Sequence, residues 1–171
     1  GEGGTGSAKC GGNYAASMIA QTEGEKHGCK QVIFKDPHRG DAIEELGGMN
    51  VFFVFGKENK IVTPELTGTI LDGVTRSSLI QLAKDRGMTV EERAITLTEW
   101  REGVANGDIT EIFACGTAAV VAPIGKLKAE DFEIPAPTEH FGEISKSLRE
   151  ELVGIQTGVV EDRHGWLTRL I

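Results

Sequence analysis

The stretch Asn50-Val51-Phe52-Phe53-Val54-Phe55 is the strongest β-strand signal in this chain. Aromatic and β-branched residues favour strands, because their side chains pack well on a pleated surface. The turn sequence Gly56-Lys57-Glu58-Asn59 follows, and Lys60 to Thr63 is a second β-rich run. Two such runs separated by a short loop that contains glycine predict a β-hairpin.

Outward from this hairpin, strands and helices alternate along the chain. Asn13 is predicted to cap a helix that starts at Tyr14 and stops near Gly28. Apolar residues at spacings of three and four, from Phe141 to Ile155, predict the clearest amphipathic helix. Further helices are predicted over 76–86 and from 98, and strands over 31–35, 42–45, 89–95, 111–114 and 120–124. The alternation predicts an α/β or α+β fold.

Composition excludes several classes of function. The chain has 171 residues, which suits one domain, and a formal net charge of −8. An acidic chain without a basic block is a poor candidate for nucleic-acid binding, and its apolar runs are too short for a transmembrane helix. No leader for secretion is recognised. The odd number of cysteines (Cys10, Cys29 and Cys115) favours a reducing compartment, the cytoplasm, over a disulfide framework.

Several other features carry no functional prediction. Gly1 to Gly6 matches the dinucleotide-binding fingerprint, but no strand precedes it. His27 and Cys29 are two possible metal ligands without further partners nearby, so no metal site is predicted. The remaining histidines are expected at the surface and both tryptophans are expected to be packing anchors: His38, His140, His164, Trp100 and Trp166.

Lys9 stands in a collar of small residues, Gly6-Ser7-Ala8-Lys9-Cys10-Gly11-Gly12-Asn13, with no bulky side chain before Tyr14. A large ligand could therefore approach its amine closely. A lysine amine is a nucleophile only when its proton is easily lost, through desolvation or a neighbouring positive charge. The alternative for Lys9 alone is an ordinary solvated loop lysine.

Three other segments have chemistry that complements this lysine. Glu44 and Glu45 offer a carboxylate at the end of a predicted strand, before two glycines, and the alternative for this carboxylate is a simple turn acid. Asp72-Gly73-Val74-Thr75 precedes a predicted helix, where free N–H groups and a hydroxyl would bind an anion; the alternative is an ordinary N-cap. Cys115-Gly116-Thr117-Ala118-Ala119 is a tight turn that would expose further N–H groups. A lysine, an acid and two anion-binding turns are what pyridoxal 5'-phosphate requires.

In their order and their residues, these segments resemble the C-terminal domain of branched-chain amino acid aminotransferases, in the fold-type IV (class IV) group of pyridoxal phosphate enzymes. The resemblance covers essentially the whole chain. It is carried by Lys9-Cys10-Gly11-Gly12-Asn13-Tyr14, Glu45-Leu46-Gly47-Gly48-Met49-Asn50, Leu71-Asp72-Gly73-Val74-Thr75-Arg76, Gly116-Thr117-Ala118-Ala119 and the ending from Gln156 to Trp166.

The resemblance implies a fold and a domain organisation. The expected fold is the large domain of the D-amino acid aminotransferase-like type, a mixed β-sheet or pseudobarrel flanked by helices. Residues 1–12 are expected to be the interdomain junction and 13–171 the C-terminal cofactor-binding domain. The family's small N-terminal domain, which supplies an arginine to the phosphate and much of the apolar substrate pocket, is expected to be absent from this chain. A homodimer is also implied.

The resemblance also implies roles for individual residues. Lys9 would form the Schiff base with the cofactor and then transfer a proton as general base and acid. Tyr14 would hydrogen-bond the ring O3' atom, and Glu45 would pair with the pyridinium nitrogen. Phosphate contacts would come from Val74, Thr75 and Thr117, and the backbone of Thr117 and Ala118 would face the substrate carboxylate.

The implied reaction is transamination between leucine, isoleucine or valine and 2-oxoglutarate, with glutamate and 2-oxo acids as the other partners. Activity on all three is expected, because an apolar pocket discriminates by only about 1–3 kcal/mol per methylene. Alternatives are a D-amino acid aminotransferase, an aminodeoxychorismate lyase or a non-catalytic assembly domain. Ala119 and Ala122 stand where some relatives carry a Cys-x-x-Cys pair, so no thiol switch is expected.

Overall fold

The structure is a computed structural model that describes residues 3–138 and 140–170. Its helices are α1 (Gly11–Lys26), α2 (Val74–Asp85), α3 (Leu97–Asn106) and α4 (Glu143–Gln156), with a 3-10 turn at Gly56–Glu58. Its strands are β1 (Ile33–Lys35), β2 (Ile43–Leu46), β3 (Met49–Phe55), β4 (Lys60–Thr63), β5 (Thr89–Glu92), β6 (Ile109–Gly116), β7 (Val120–Pro123), β8 (Leu127–Lys128) and β9 (Glu133–Ile134). The predicted mixed α/β class is confirmed.

Strand β3 is the centre of the main sheet, and the predicted β3–β4 hairpin is confirmed. Strand β6 pairs antiparallel with β3 along its length, so that β2 and β4 must share the opposite edge. Strand β2 pairs with the first residues of β3, Met49 and Asn50, and β4 pairs with its last residues, from Phe53 onward. The sheet therefore forks where β2 and β4 separate. The buried Thr63 hydroxyl donates a 2.8 Å hydrogen bond to the Val51 carbonyl near this fork.

Both faces of β3 are buried, as its nearly continuous apolar sequence requires. Phe52 and Val54 belong to the core beneath α2 and α4. Val51, Phe53 and Phe55 belong to the opposite core, with α3 and the small β8–β9 sheet. The buried Trp100 meets Phe53 edge-on, with ring centroids 5.3 Å apart, so its predicted role as a packing anchor is confirmed.

Helix α2 connects β4 to β5, which lie side by side and parallel. A parallel pair needs such a crossover connection, because the chain must return to the same end of the sheet. The long segment 64–73 leaves β4 near the fork and leads into α2. It therefore brings the first turn of α2 to the region where β2 and β4 separate.

Several predicted element boundaries are wrong by a few residues. Helix α1 begins at Gly11 with Cys10 as its N-cap, and Asn13 is not the cap. Instead, Asn13 Nδ2 donates to the carbonyl oxygens of Thr5 (2.8 Å) and Ala8 (3.0 Å). Helix α2 begins at Val74, two residues before the predicted start. The strand predicted over 89–95 ends at Glu92, and β6 is longer than predicted, from Ile109 to Gly116.

Among the described residues, no helix combines the length and the apolar character that a membrane crossing needs.

Candidate active site

Glu45, Asn50 and Cys115 form one row across three neighbouring strands. Glu45 pairs in register with Asn50, and Asn50 pairs with Cys115. Neighbouring strands are about 4.8 Å apart, and directly opposed residues project from the same face. The turn that contains Thr117 and Ala118 follows Cys115 by two residues along β6. The predicted acid and the predicted second anion-binding turn are therefore at the same end of the sheet.

The Glu45 carboxylate is held through one of its two oxygens. Oε1 accepts from the Leu71 backbone N–H (3.2 Å) and from Asn50 Nδ2 (3.4 Å). Oε2 makes no hydrogen bond within the described part of the chain. Burial raises the pKa of Glu45, the nearby Glu44 raises it further, and the hydrogen bond from Leu71 lowers it. The group is therefore an oriented acid with one oxygen available to a proton donor.

The start of helix α2 is an anion-binding arrangement. Its N-cap is Gly73, which offers no side-chain hydrogen bond, and its first turn contains no acidic residue. Within 3–138 and 140–170, the backbone N–H groups of Val74, Thr75 and Arg76 have no acceptor. Thr75 is 8% exposed, whereas the Val74 side chain is 79% exposed. Free N–H groups at the positive end of a helix bind phosphate.

The segment that carries Lys9 packs against the same loop that contacts Glu45. A Cβ atom on Gly6 would lie 2.0 Å from the carbonyl oxygen of Thr69, so the two backbones are in close contact. Lys9 follows Gly6 by three residues, which span at most about 11 Å. Its side chain is exposed, and its amine has no hydrogen bond or ion pair with the described residues. Lys9 is thus near the Glu45 loop with a free amine.

Tyr14 lies in the first turn of α1, and half of its surface is exposed. Its hydroxyl makes no hydrogen bond with the residues that the structure describes. Helix α1 has no buried residue, and Met18 and Ile19 are also exposed on it. The structure therefore leaves Tyr14 available, close in sequence to Lys9, but does not connect it to the Glu45 row.

Thr117 and Ala118 lie exposed in the turn between β6 and β7. Gly116 and Val120 close this turn as paired residues. Val120 has φ = 58°, in the left-handed region that a β-branched residue rarely adopts. Such strain persists only where surrounding structure enforces it, so the turn has a defined backbone conformation.

Two other predictions concern residues outside this site. His164, expected at the surface, is partly buried, because its Nε2 atom lies 2.7 Å from Asp85 Oδ2 and its ring stacks on Trp166. Trp166 is 38% exposed and is therefore not a core anchor. Among the described residues, no group of three or more potential metal ligands is found.

Sequence reasoning missed Asn50 and Leu71 as parts of the site. Asn50 is buried within an otherwise apolar strand, and Leu71 contributes only its backbone. The signal for Asn50 was present: a buried amide needs hydrogen-bond partners, so an asparagine that begins Asn50-Val51-Phe52-Phe53 implies a specific contact. Leu71 has no such signal, because any residue has the same backbone N–H.

Known proteins resemble the chain in both sequence and structure. The branched-chain-amino-acid aminotransferase of Mycolicibacterium smegmatis is 51% identical over 170 residues, which are 98% of this chain and 46% of that protein. The chain therefore spans about half the length of the curated relatives it matches.

Two solved structures show the same fold. The branched-chain amino acid aminotransferase from Escherichia coli has a TM-score of 0.77 and 32% identity, over 95% of this chain and 50% of that one. The Thermobaculum terrenum enzyme in its PLP form has a TM-score of 0.77 and 31% identity, over 96% and 49%. The predicted fold-type IV architecture is thereby confirmed.

The family model described as amino-transferase class IV matches residues 6–127, which include Lys9, Glu45, the start of α2 and the turn after β6. The family resemblance found in the sequence motifs is therefore confirmed, and the chain belongs to the class IV aminotransferases.

Proposed function

We propose that this chain is the cofactor-binding part of a pyridoxal phosphate-dependent branched-chain aminotransferase. The whole enzyme would exchange amino groups between leucine, isoleucine or valine and 2-oxoglutarate. The observation that carries the proposal concerns the segment 64–73, which leads into α2. It contacts Glu45 through Leu71 and the Lys9 segment through Thr69. The names of relatives that are about half identical to this chain support the choice of substrates.

The residues present fit pyridoxal 5'-phosphate. The phosphate needs several N–H donors, and the uncapped start of α2 offers those of Val74 and Thr75 with the Thr75 hydroxyl. The pyridine nitrogen needs an acid, and Glu45 Oε2 is an oxygen without a protein donor in the described chain. The aldehyde needs an amine, and Lys9 is free. Thr117 would contribute a further phosphate contact.

When bound, the cofactor supplies an electron sink for the bonds of the substrate α-carbon. Glu45 would hold the ring nitrogen in its protonated form, because its Oε2 atom accepts that proton's hydrogen bond. The Lys9 amine would attach the cofactor. Once the substrate amine has displaced it, Lys9 would carry the proton between the substrate α-carbon and the cofactor C4' carbon, as general base and then as general acid. Tyr14 would donate to the ring O3' atom, and the backbone of Thr117 and Ala118 would bind the substrate carboxylate.

The organisation of the whole protein is part of the proposal. Residues 13–171 would form the cofactor-binding domain and residues 1–12 its junction with a small N-terminal domain. The support is that the relatives are about twice as long as the matched region. That domain would complete the apolar pocket, and the enzyme would be a homodimer. Three free cysteines support a reducing, cytoplasmic location.

Borohydride trapping tests the cofactor site directly. Reduction in the presence of pyridoxal 5'-phosphate should leave one pyridoxyl group on Lys9, located by peptide mass spectrometry. Lys9→Ala should lose the adduct, whereas Lys57→Ala, which removes an exposed lysine that pairs with Asp108, should keep it. Absence of any adduct on Lys9 at saturating cofactor would contradict the proposal.

Substrate class is tested with the full-length enzyme. Leucine, isoleucine and valine should be converted at comparable kcat/KM, and D-alanine should be a poor substrate. A preference for D-alanine would instead indicate a D-amino acid aminotransferase. Cofactor attachment without any amino-group transfer would point to a different fold-type IV reaction.

A further inference from the structure

Asn50 is a buried polar residue whose contacts connect two parts of the proposed site. It lies on β3, 6% exposed, in register with Glu45 on one side and Cys115 on the other. Its Nδ2 atom donates to the Leu71 carbonyl oxygen at 3.0 Å and lies 3.4 Å from Glu45 Oε1. Since the Leu71 N–H also donates to Glu45 Oε1, at 3.2 Å, these three residues form a closed triangle.

The other end of the Asn50 amide faces the start of helix α2. A Cβ atom on Gly73 would lie 2.3 Å from Asn50 Oδ1 and 3.5 Å from Asn50 Cγ. Gly73 has an ordinary extended backbone, with φ = −75°, so the absence of a side chain there is required by proximity and not by backbone conformation. The α2 N-cap thus packs directly on the Asn50 amide.

We propose that Asn50 is a positioning residue that fixes the Glu45 carboxylate relative to the start of helix α2. The inference rests on the proposed function, because these are the groups assigned to the two ends of the cofactor. The ring nitrogen and the phosphate belong to one small molecule, so the groups that would bind them must lie within its short span. One amide that touches both binding groups keeps the acid and the anion site at matching positions before the cofactor arrives.

The amide also affects the charge of Glu45. An N–H that points at a carboxylate oxygen stabilises the ionised form, whereas burial and the neighbouring Glu44 oppose it. The Leu71 N–H lowers the pKa of Glu45, and Asn50 Nδ2 is placed as a second donor to the same oxygen, at 3.4 Å. With Oε1 engaged by both, Oε2 is the oxygen left for the ring nitrogen.

The test compares Asn50→Asp and Asn50→Ala with Thr63→Val. The aspartate is nearly isosteric but replaces the donor with an acceptor, and alanine removes both contacts. Thr63 is a matched control, because it also makes a buried side-chain hydrogen bond to this part of the sheet, at 2.8 Å to Val51 O. Far-UV circular dichroism and thermal melts establish that each variant is folded.

The first readout is the pKa of Glu45 in the cofactor-free protein, measured by carbon-detected NMR. Both Asn50 variants should raise it, and Thr63→Val should leave it unchanged even if the melting temperature falls. An unchanged Glu45 pKa in a folded Asn50→Asp or Asn50→Ala protein would overturn the proposal. This measurement needs no cofactor, so it remains informative if the protein does not bind pyridoxal 5'-phosphate and the proposed function itself fails.

The second readout is cofactor affinity in the full-length enzyme, by fluorescence titration. Asn50→Ala should weaken pyridoxal 5'-phosphate binding by about tenfold, the size of one charge-assisted hydrogen bond. In a Glu45→Ala background, which removes the acceptor of the Asn50 amide, the same substitution should have a clearly smaller effect, because the two residues act through one contact. Equal fold-losses in both backgrounds would show independent action and would overturn the proposal.

Discussion

Gly6 and Thr69 are in close backbone contact, and this contact holds the Lys9 segment against the segment 64–73. A Cβ atom at Gly6 would lie only 2.0 Å from the Thr69 carbonyl oxygen. Only a glycine fits in this contact without displacing one of the two backbones. Thr69 precedes Leu71, which holds the Glu45 carboxylate, by two residues. This backbone contact therefore links the Lys9 segment to the segment that holds the Glu45 carboxylate.

We expect Gly6→Ala to displace Lys9 without unfolding the protein. Residues 7–9 are exposed, so the loss of packing should be small, but the borohydride-trapped adduct on Lys9 should form several-fold more slowly. Gly11→Ala is the control, because a Cβ there would meet nothing within 4 Å. Trapping rates are compared by mass spectrometry under identical cofactor concentrations. Equal rates for Gly6→Ala and the unmodified protein would contradict the role of this contact.

Glu45→Gln should separate the stability of the cofactor-free protein from its function. Burial raises the pKa of Glu45 above its ordinary value of 4.5. The folded state therefore binds this proton more tightly than the unfolded state, and Glu45 reduces stability as pH rises through and above 4.5. A glutamine keeps an oxygen for the Leu71 and Asn50 donors but carries no charge.

A neutral side chain at position 45 removes the destabilisation that the ionised carboxylate causes in the cofactor-free protein. Cofactor-free Glu45→Gln should melt at or above the temperature of the unmodified protein at pH 7, with the difference shrinking towards pH 4. Transamination by the full-length variant should fall by about a hundredfold or more, as when one preorganised charged partner is removed from an active site. A lower melting temperature of the cofactor-free variant would contradict the first expectation, and normal turnover of the full-length variant would contradict the second.

The three cysteines should differ strongly in reactivity. Burial raises the pKa of the Cys115 thiol to about 12, with a small opposing effect from Arg76, so it stays protonated and enclosed. Cys10 is exposed, and Cys29 is half-buried. In native protein, iodoacetamide at pH 8 should label Cys10 first and Cys115 only after urea is added, as read by peptide mass spectrometry. Native labelling of Cys115 ahead of Cys10 would show that this part of the sheet opens.

Local patterns predicted most of the helices and strands of the main sheet and the segments of the proposed site, whereas the roles of individual residues came from the resemblance to a known family. The run Asn50–Phe55, the spacing from Phe141 to Ile155 and the motif around Lys9 all depend on residues close together in the chain. The missed contacts join residues that are distant in sequence: Glu45 and Leu71 are 26 apart, and Glu111 and Ile144 are 33 apart. Such pairs exist only after β2, β3 and β6 have aligned, so no sequence period encodes them.

Glu111 is the clearest of these missed contacts, because it caps helix α4 from a neighbouring strand. Its Oε1 accepts from the Ile144 N–H at 2.9 Å, and its Oε2 accepts from the Ser145 N–H at 2.8 Å. Gly142 leaves the space that the carboxylate occupies, since a Cβ there would lie 1.9 Å from Glu111 Cδ. In α4 a protein carboxylate thus occupies the position of an anion, whereas the start of α2 has no side-chain cap.

We expect Glu111→Ala to lower the free energy of unfolding by about 2–4 kcal/mol, because a buried N–H group (Ser145) and a partly buried one (Ile144) lose a charged acceptor. Thr96→Ala, which removes the side-chain cap of α3, should cost about 1 kcal/mol. Urea denaturation gives both values. Pyridoxal 5'-phosphate affinity should change in neither variant, and a loss of affinity confined to Glu111→Ala would place the residue in the cofactor site instead.

The segment 162–167 should be held to the body of the protein mainly through Asp85, at the end of α2. Asp85 Oδ2 lies 2.7 Å from His164 Nε2 and 2.9 Å from an Arg163 guanidinium nitrogen, and the His164 ring stacks on Trp166 with centroids 4.8 Å apart. These contacts lower the pKa of Asp85 to about 2, chiefly through the hydrogen bond with His164. Because the folded pKa is depressed, the stabilisation is present above 3.8 and is lost as the pH falls from 3.8 towards 2.

Trp166 fluorescence reports this attachment. Asp85→Ala should shift the Trp166 emission to longer wavelength at pH 7, with a Trp166→Phe variant used to assign the signal, since Trp100 is 1% exposed and should not respond. Gln81→Ala is the matched control, because Gln81 also donates to Asp85, at 2.8 Å, but lies on α2 itself. The unmodified protein should show the same shift only as the pH falls from 3.8 towards 2, where the Asp85 carboxylate becomes protonated. An Asp85→Ala spectrum that matches the unmodified protein at pH 7 would show that Arg163 and Glu151 hold the segment without Asp85.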